Sequence, residues 1–130
     1  MSTVEEVAAL LSEGLAEISH SSRKWRVTGA AAAAEPITKH TVMVWIDSAQ
    51  RHPTMGFPHV QYEMSVVVAV ATENPSKVEA VLELALGEVI AALQPHEHLV
   101  WSEATRVTLE GANAPGFQLK VTCVAKIQGA

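Results

Sequence analysis

The chain has 130 residues, enough for one domain with a core of its own, and hydrophobic residues make up 48% of it against 18% charged. That balance excludes a disordered chain, and a net charge of −5 with a pI of about 5.6 excludes a basic footprint for gripping nucleic acid. Two readings of the low charge content stay open: a surface covered by partners or by copies of itself, or a simple excess of alanine and valine.

The first predicted element is a helix from about Thr3 to Ile18. Val4, Val7, Leu11, Leu15 and Ile18 recur at steps of three and four, while Glu5, Glu6, Glu13 and Glu17 take the other side. Ser2 and Glu5 fit a capping box, and the early glutamates favour the positive end of the helix dipole. An acidic start without a continuous apolar stretch is unlike a signal peptide, so the protein is expected to act where it is made or within a larger particle. Arg23 to Thr28 follows as a short edge strand, with Trp25 and Val27 on one face. The alanine run from Gly29 to Ala34 is too short to hold a helix alone and is stopped by Pro36, so it reads as a connector or one helical turn.

A second strand is predicted from Thr38 to Asp47, apolar on both faces as a central strand is. The segment from Ser48 to His59 reads as a long loop, because two prolines and a glycine oppose regular structure there. Loops of that length in a small domain are often functional. Arg51, Met55, Phe57 and His59 are its candidate protein-contact residues, the apolar pair because apolar side chains on a loop point to a partner. The third strand, Val60 to Thr72, alternates most clearly, with Tyr62, Met64, Val66, Val68 and Val70 on one face. A second helix follows at once, with Asn74 as N-cap and Pro75 at the first helical position. Its wide stripe of Val78, Val81, Leu82, Ala85, Leu86, Val89, Ile90 and Leu93 ends at Gln94-Pro95. Glu79, Glu83 and Glu88 interrupt it, which excludes a membrane span. Two last strands, Leu99 to Glu110 and Phe117 to Ile127, are joined by the turn-forming residues 111–116. The expected architecture is a single α+β domain over 1–130, ordered α-β-β-β-α-β-β, whose mainly antiparallel sheet of about five strands is packed by two helices.

No catalytic, cofactor or metal site is predicted. His96 and His98 form the one close histidine pair, and on a strand they would share a face, but Glu97 would point away and no third ligand is in register. No nucleophile elbow or phosphate-binding glycine loop occurs. Asp47, Glu63 and His59 could gather at one strand end, although a turn-forming Asp47 accounts for the sequence without chemistry. Cys123 stands in an alternating apolar run and reads as a small buried hydrophobe; as the single cysteine it forms no internal disulfide.

The succession of elements itself carries a likeness. A short N-terminal helix precedes a strand ending in Trp45-Ile46-Asp47, and the chain resumes pairing at Gln61-Tyr62-Glu63-Met64. Ser65-Val66-Val67-Val68-Ala69-Val70 then runs directly into Asn74-Pro75, a long Ala/Leu helix and a final hairpin. Over nearly its whole length the chain resembles the tail-terminator proteins of long-tailed bacteriophages, particularly those infecting actinobacteria. The resemblance implies a structural virion protein without catalytic residues or cofactor. It would form a hexameric ring that ends polymerisation of the tail tube, and its partners would be the tube protein and the head–tail connector. Double-stranded DNA would pass through its lumen without sequence-specific binding. It would be made in the host cytoplasm and end at the head-proximal end of the tail. A tail-completion or head–tail joining protein shares this size and plan, and a small-molecule-binding or enzymatic α+β domain is the alternative of a different class.

Overall fold

The computed structural model describes residues 2–18, 25–29, 39–71, 75–109 and 114–127. Its elements follow in the predicted order: α1 (Thr3–Ile18), β1 (Arg26–Thr28), β2 (Thr41–Arg51), β3 (His59–Ala69), α2 (Val78–Leu93), β4 (Leu99–Leu109) and β5 (Ala114–Lys126). α1 starts where its capping residues place it. The Ser2 hydroxyl accepts the Glu5 N–H at 3.2 Å and donates to the Glu5 carboxylate at 3.1 Å, and Glu6 N–H closes the first turn on Ser2 O. The predicted stripe supplies its buried face, Val7, Leu11 and Leu15. Gly14 lies where α1 meets α2, and a Cβ built on it would stand 3.0 Å from the Ala92 Cβ. Small residues on both helices therefore set how closely their axes approach.

α2 departs from its predicted start. Pro75–Lys77 forms a 3₁₀ turn, and Lys77 precedes the α-helix without a side-chain cap; the predicted N-cap, Asn74, lies outside the described residues. Proline suits such a turn because it has no N–H to leave unpaired. The predicted stripe otherwise holds, with Leu82, Ala85, Val89 and Leu93 buried and Val78, Val81, Leu86 and Ile90 packed against the core at its margin.

The five strands form one sheet in the order β1-β2-β3-β5-β4. Every pairing is antiparallel except β1 with β2, which run parallel from Arg26↔Thr41 to Thr28↔Met43. Tight connections favour antiparallel neighbours, but the connection 29–40 is long enough to carry the chain back to the same end of the sheet. The edge-strand reading holds for β1; residues 23 and 24 and the alanine run, 30–34, lie outside the described residues. Both helices pack on one face of the sheet, over Val42 and Val44 of β2, Val66 and Val68 of β3, and Leu119, Val121 and Cys123 of β5. Fully burying one such aliphatic side chain stabilises the fold by about 1.5–3 kcal/mol.

Burial divides β2 and β3 along their length. Thr41 to Val44 are buried while Ile46 to Arg51 are exposed, and in β3 burial begins only at Met64. The predicted loop from Ser48 to His59 is therefore partly strand. β2 continues to Arg51, with Ala49↔Tyr62 and Arg51↔Val60 paired, and only residues 52–58 form the connection. Cross-strand backbone bonds hold this stretch although its side chains show no core-facing alternation, which is why its pattern conceals it. The final turn is also shorter than predicted: β5 begins at Ala114, and Ala114-Pro115-Gly116 pair with Leu109-Thr108-Val107. Among the described residues, no helix is long and apolar enough to cross a membrane.

Candidate interaction surface

The lower halves of β2 and β3 form an arm of the sheet, with β5 paired along β3 from His59↔Lys126 to Glu63↔Thr122 and the β2 side exposed. A β-bulge at its base, between Ile46 and Ser48, places Asp47 out of register. Bulges bend and twist a strand, and this one marks the change from buried to exposed residues. A row of polar side chains ties three strands together there. The Asp47 carboxylate accepts the Trp45 indole N–H at 3.0 Å and the Ser65 hydroxyl, and the Gln118 amide donates to the same hydroxyl at 2.9 Å. Ser65 is 1% exposed, so these bonds satisfy a group that would be costly to bury alone. Glu63 accepts the Thr122 hydroxyl at 3.3 Å and the Gln61 amide at 3.4 Å.

These bonds decide the fate of the Asp47, Glu63 and His59 grouping. Each carboxylate has its own strand-bridging partners, and His59 stands at the first position of β3, where its Nδ1 is buried without a partner among the described residues. Asp47 serves as a hydrogen-bond acceptor at a bulge rather than in a turn.

The tip of the arm is built around one histidine. His52 Nδ1 accepts the N–H groups of Thr54 at 3.2 Å and Met55 at 2.9 Å, so the ring proton sits on Nε2. Gly56 has φ 62°, in the left-handed region that glycine enters without strain, and Gly56 O accepts the His59 N–H at 2.8 Å. The Phe57–Pro58 bond is cis, and Pro58 O accepts Ile127 N–H at 2.9 Å, which fastens the root of the tip to the end of β5. These bonds turn Met55 and Phe57 outward, 55% and 80% exposed. Of the predicted contact residues, Arg51, Met55 and Phe57 are exposed along the end of the arm, while His59 is half-buried at its root.

The remaining histidines divide by role. His96 and His98 lie in the connection between α2 and β4, not on a strand, with ring centroids 6.0 Å apart. No group of three or more His, Cys, Asp or Glu that could hold a metal ion occurs among the described residues. His40, which no sequence pattern singled out, is buried at the start of β2. Its Nδ1 accepts Ala71 N–H at 3.2 Å, its carbonyl accepts Arg26 N–H at 2.9 Å, and its ring meets Trp25 edge-on at 5.2 Å. It is a joint between β1, β2 and the end of β3. Cys123 is buried in the core, and burial, with the nearby negative charge of Glu6 adding to it, pushes its thiol up to about 11. A thiol held protonated is a poor nucleophile.

Sequence reasoning also missed the groove along the outer side of the helix pair, where Leu84 of α2 is 60% exposed beside Gly87, Ala91 and Ile18. Leu84 lies off the main apolar stripe, and that was the available signal. No protein-family model matches the chain, and no curated protein is significantly similar to it.

Proposed function

We propose that this chain is a structural virion protein of a long-tailed bacteriophage, a tail terminator that closes the head-proximal end of the tail tube as a hexameric ring. The likeness in element order, stated above, supplies the family. The observation that carries the reading is the arm: the exposed end of the β2–β3 hairpin, with its two most exposed apolar side chains at the tip. A free monomer gains nothing from exposing Phe57 at 80%, whereas a contact with another subunit or ring would remove it from water.

Two open sheet edges fit the same reading. β4 pairs only with β5, and β1 covers β2 only as far as Met43, so Val44 to Arg51 have no outer neighbour among the described residues. Closure of a ring covers edges that would otherwise recruit further strands. Such a protein acts by shape and needs no catalytic group. Its place is in the virion, with the tube protein and the head–tail connector as partners and DNA passing through the lumen.

The test is imaging of assembled tails, with and without the chain. A sixfold layer containing it at the head-proximal end is expected, and tails assembled without it should run past their normal length. Another symmetry at that layer, or tails of normal length without the chain, would defeat the reading.

A further inference from the structure

The two helices carry acids and no cation of their own, although Arg106 of β4 reaches Glu79 at 2.9 Å. α1 carries Glu5, Glu6, Glu13 and Glu17, α2 carries Glu79, Glu83 and Glu88, and neither helix has a lysine or arginine. The tip of the arm differs. From Ser48 to Tyr62 its one formally charged side chain is Arg51, with Asp47 and Glu63 at its base, and Lys126 of β5 lies beside its root, paired with His59. Each region also exposes apolar surface. On the helix layer, a groove of about 530 Å³ runs along α2 between Leu84, Gly87 and Ala91, with Ile18 of α1 on its far wall and Glu83 on its rim. A Cβ added to Gly87 would meet nothing within 4 Å, so the groove has a notch where the helix lacks a side chain. On the arm, Phe57 and Met55 stand out from the tip, with Arg51 at the end of β2 behind them.

From this pairing of an acidic-rimmed apolar notch with an apolar tip that carries Arg51, we infer that the arm of one copy docks in the helix groove of a second copy, with Phe57 at Gly87. Charge complementarity selects this occupant. The rim of the groove repels a second helix layer of the same sign, and the arm is a surface of this chain that brings an aromatic ring and a cation together. Large aromatic side chains with a neighbouring arginine are the residues that most often dominate protein interfaces. The contact is heterologous, because tip and groove are different surfaces of one chain. Each copy gives one arm and receives one, and such contacts close into a ring when the rotation between neighbours allows it. The inference rests on the ring reading for its place in a tail, but docking between copies is a property of the chain alone.

The experiment replaces Phe57 with p-benzoylphenylalanine, an aromatic photo-crosslinking residue whose larger side chain is tolerated at an exposed position. An equal mixture of isotopically heavy and light purified chain is irradiated at high concentration. The expected product is a ladder of crosslinked copies with mixed-isotope junctions at Leu84, Gly87 or Ala91. Gly87→Leu, which fills the notch on an exposed face of α2, should leave thermal unfolding intact while weakening association at least about tenfold. Crosslinks confined to one chain, junctions elsewhere on the second copy, no crosslinked copies at all, or a ladder unaffected by Gly87→Leu would each overturn the inference. A sixfold tail layer with junctions elsewhere would sink the docking and leave the ring reading standing. Notch-directed crosslinks in a chain missing from tails would do the opposite.

Discussion

β2 and β3 each pass through two environments. In the half beneath the helices, Val42, Val44, Val66 and Val68 are fully buried, and Met43, Ser65 and Val67 on the opposite face are nearly so. In the arm, the same two strands keep their backbone ladder while Ile46, Met55 and Phe57 remain open to solvent. Hydrogen bonding is alike in the two halves, so it cannot be what separates them; apolar burial is. The buried half holds the fold together, and the arm is a surface that the fold holds out. Substitutions in the two halves should therefore differ in kind: the first should cost stability, the second assembly.

The largest stability effect is expected in the first half. Leu119 of β5 is fully buried on the helix side of the sheet, opposite Val66. Leu119→Ala removes apolar contacts and leaves a cavity between sheet and helices, at a cost of about 2–5 kcal/mol measured by chemical denaturation. A loss below 1 kcal/mol, on the order of an exposed site, would mean that the core closes around the gap and that the two halves are less distinct than their burial implies.

A smaller effect is expected at His40, which holds the sheet by a polar contact. His40→Phe keeps a ring against Trp25 but removes the acceptor for Ala71 N–H. Leaving that N–H unpaired should cost about 1–3 kcal/mol. Amide exchange at Ala71 should accelerate by more than exchange at residues of the arm. Uniform acceleration across the sheet would show instead that His40 acts through packing alone.

Cys123 gives the core a pH signature. Its thiol is raised from an ordinary value of 9.0 to about 11, by burial first and by Glu6 second. The folded state then keeps a proton that the unfolded chain releases, so this contribution is complete below pH 9 and is lost as pH rises from 9 toward 11. Cys123→Ala should flatten that alkaline decline while lowering stability at neutral pH through a small cavity. Alkylation at neutral pH should be slow in the native chain and fast in denaturant. Rapid native labelling would place the thiol at the surface.

How much of this was legible in the sequence follows the same division. Where a strand or helix has one face on the core, its apolar spacing reports it, and α1, β3 and α2 were readable for that reason. Met64, Val66 and Val68 face the helices, while Ser65, Val67 and Ala69 between them are buried on the other side of the sheet. Ser48 to Arg51 of the arm are exposed and show no period, and prolines and a glycine at the tip make the whole segment resemble a loop. The parallel pairing of β1 was hidden because register depends on the connection 29–40, whose composition says nothing of where it leads. For the site, Met55 and Phe57 were identified by being apolar among turn residues. His52 as the acceptor that shapes the tip, and the Gly87 notch on the opposite layer, needed coordinates because neither has a local signature.

The smallest expected change in stability, and the sharpest separation of the two halves, is at the tip. Met55 and Phe57 are 55% and 80% exposed, so replacing both with serine withdraws little from the folded state. The turn itself is held by backbone groups and by the ring of His52, neither of which the substitutions touch. Met55→Ser with Phe57→Ser should therefore shift the unfolding free energy by no more than about 0.5 kcal/mol. The same pair should impair assembly into tails, because the side chains removed are those the arm presents. Denaturation curves and imaging of assembled particles decide together. An unfolded or strongly destabilised double variant would assign both side chains to the core and erase the distinction between the halves, and normal assembly by a folded double variant would leave the arm without the role proposed for it.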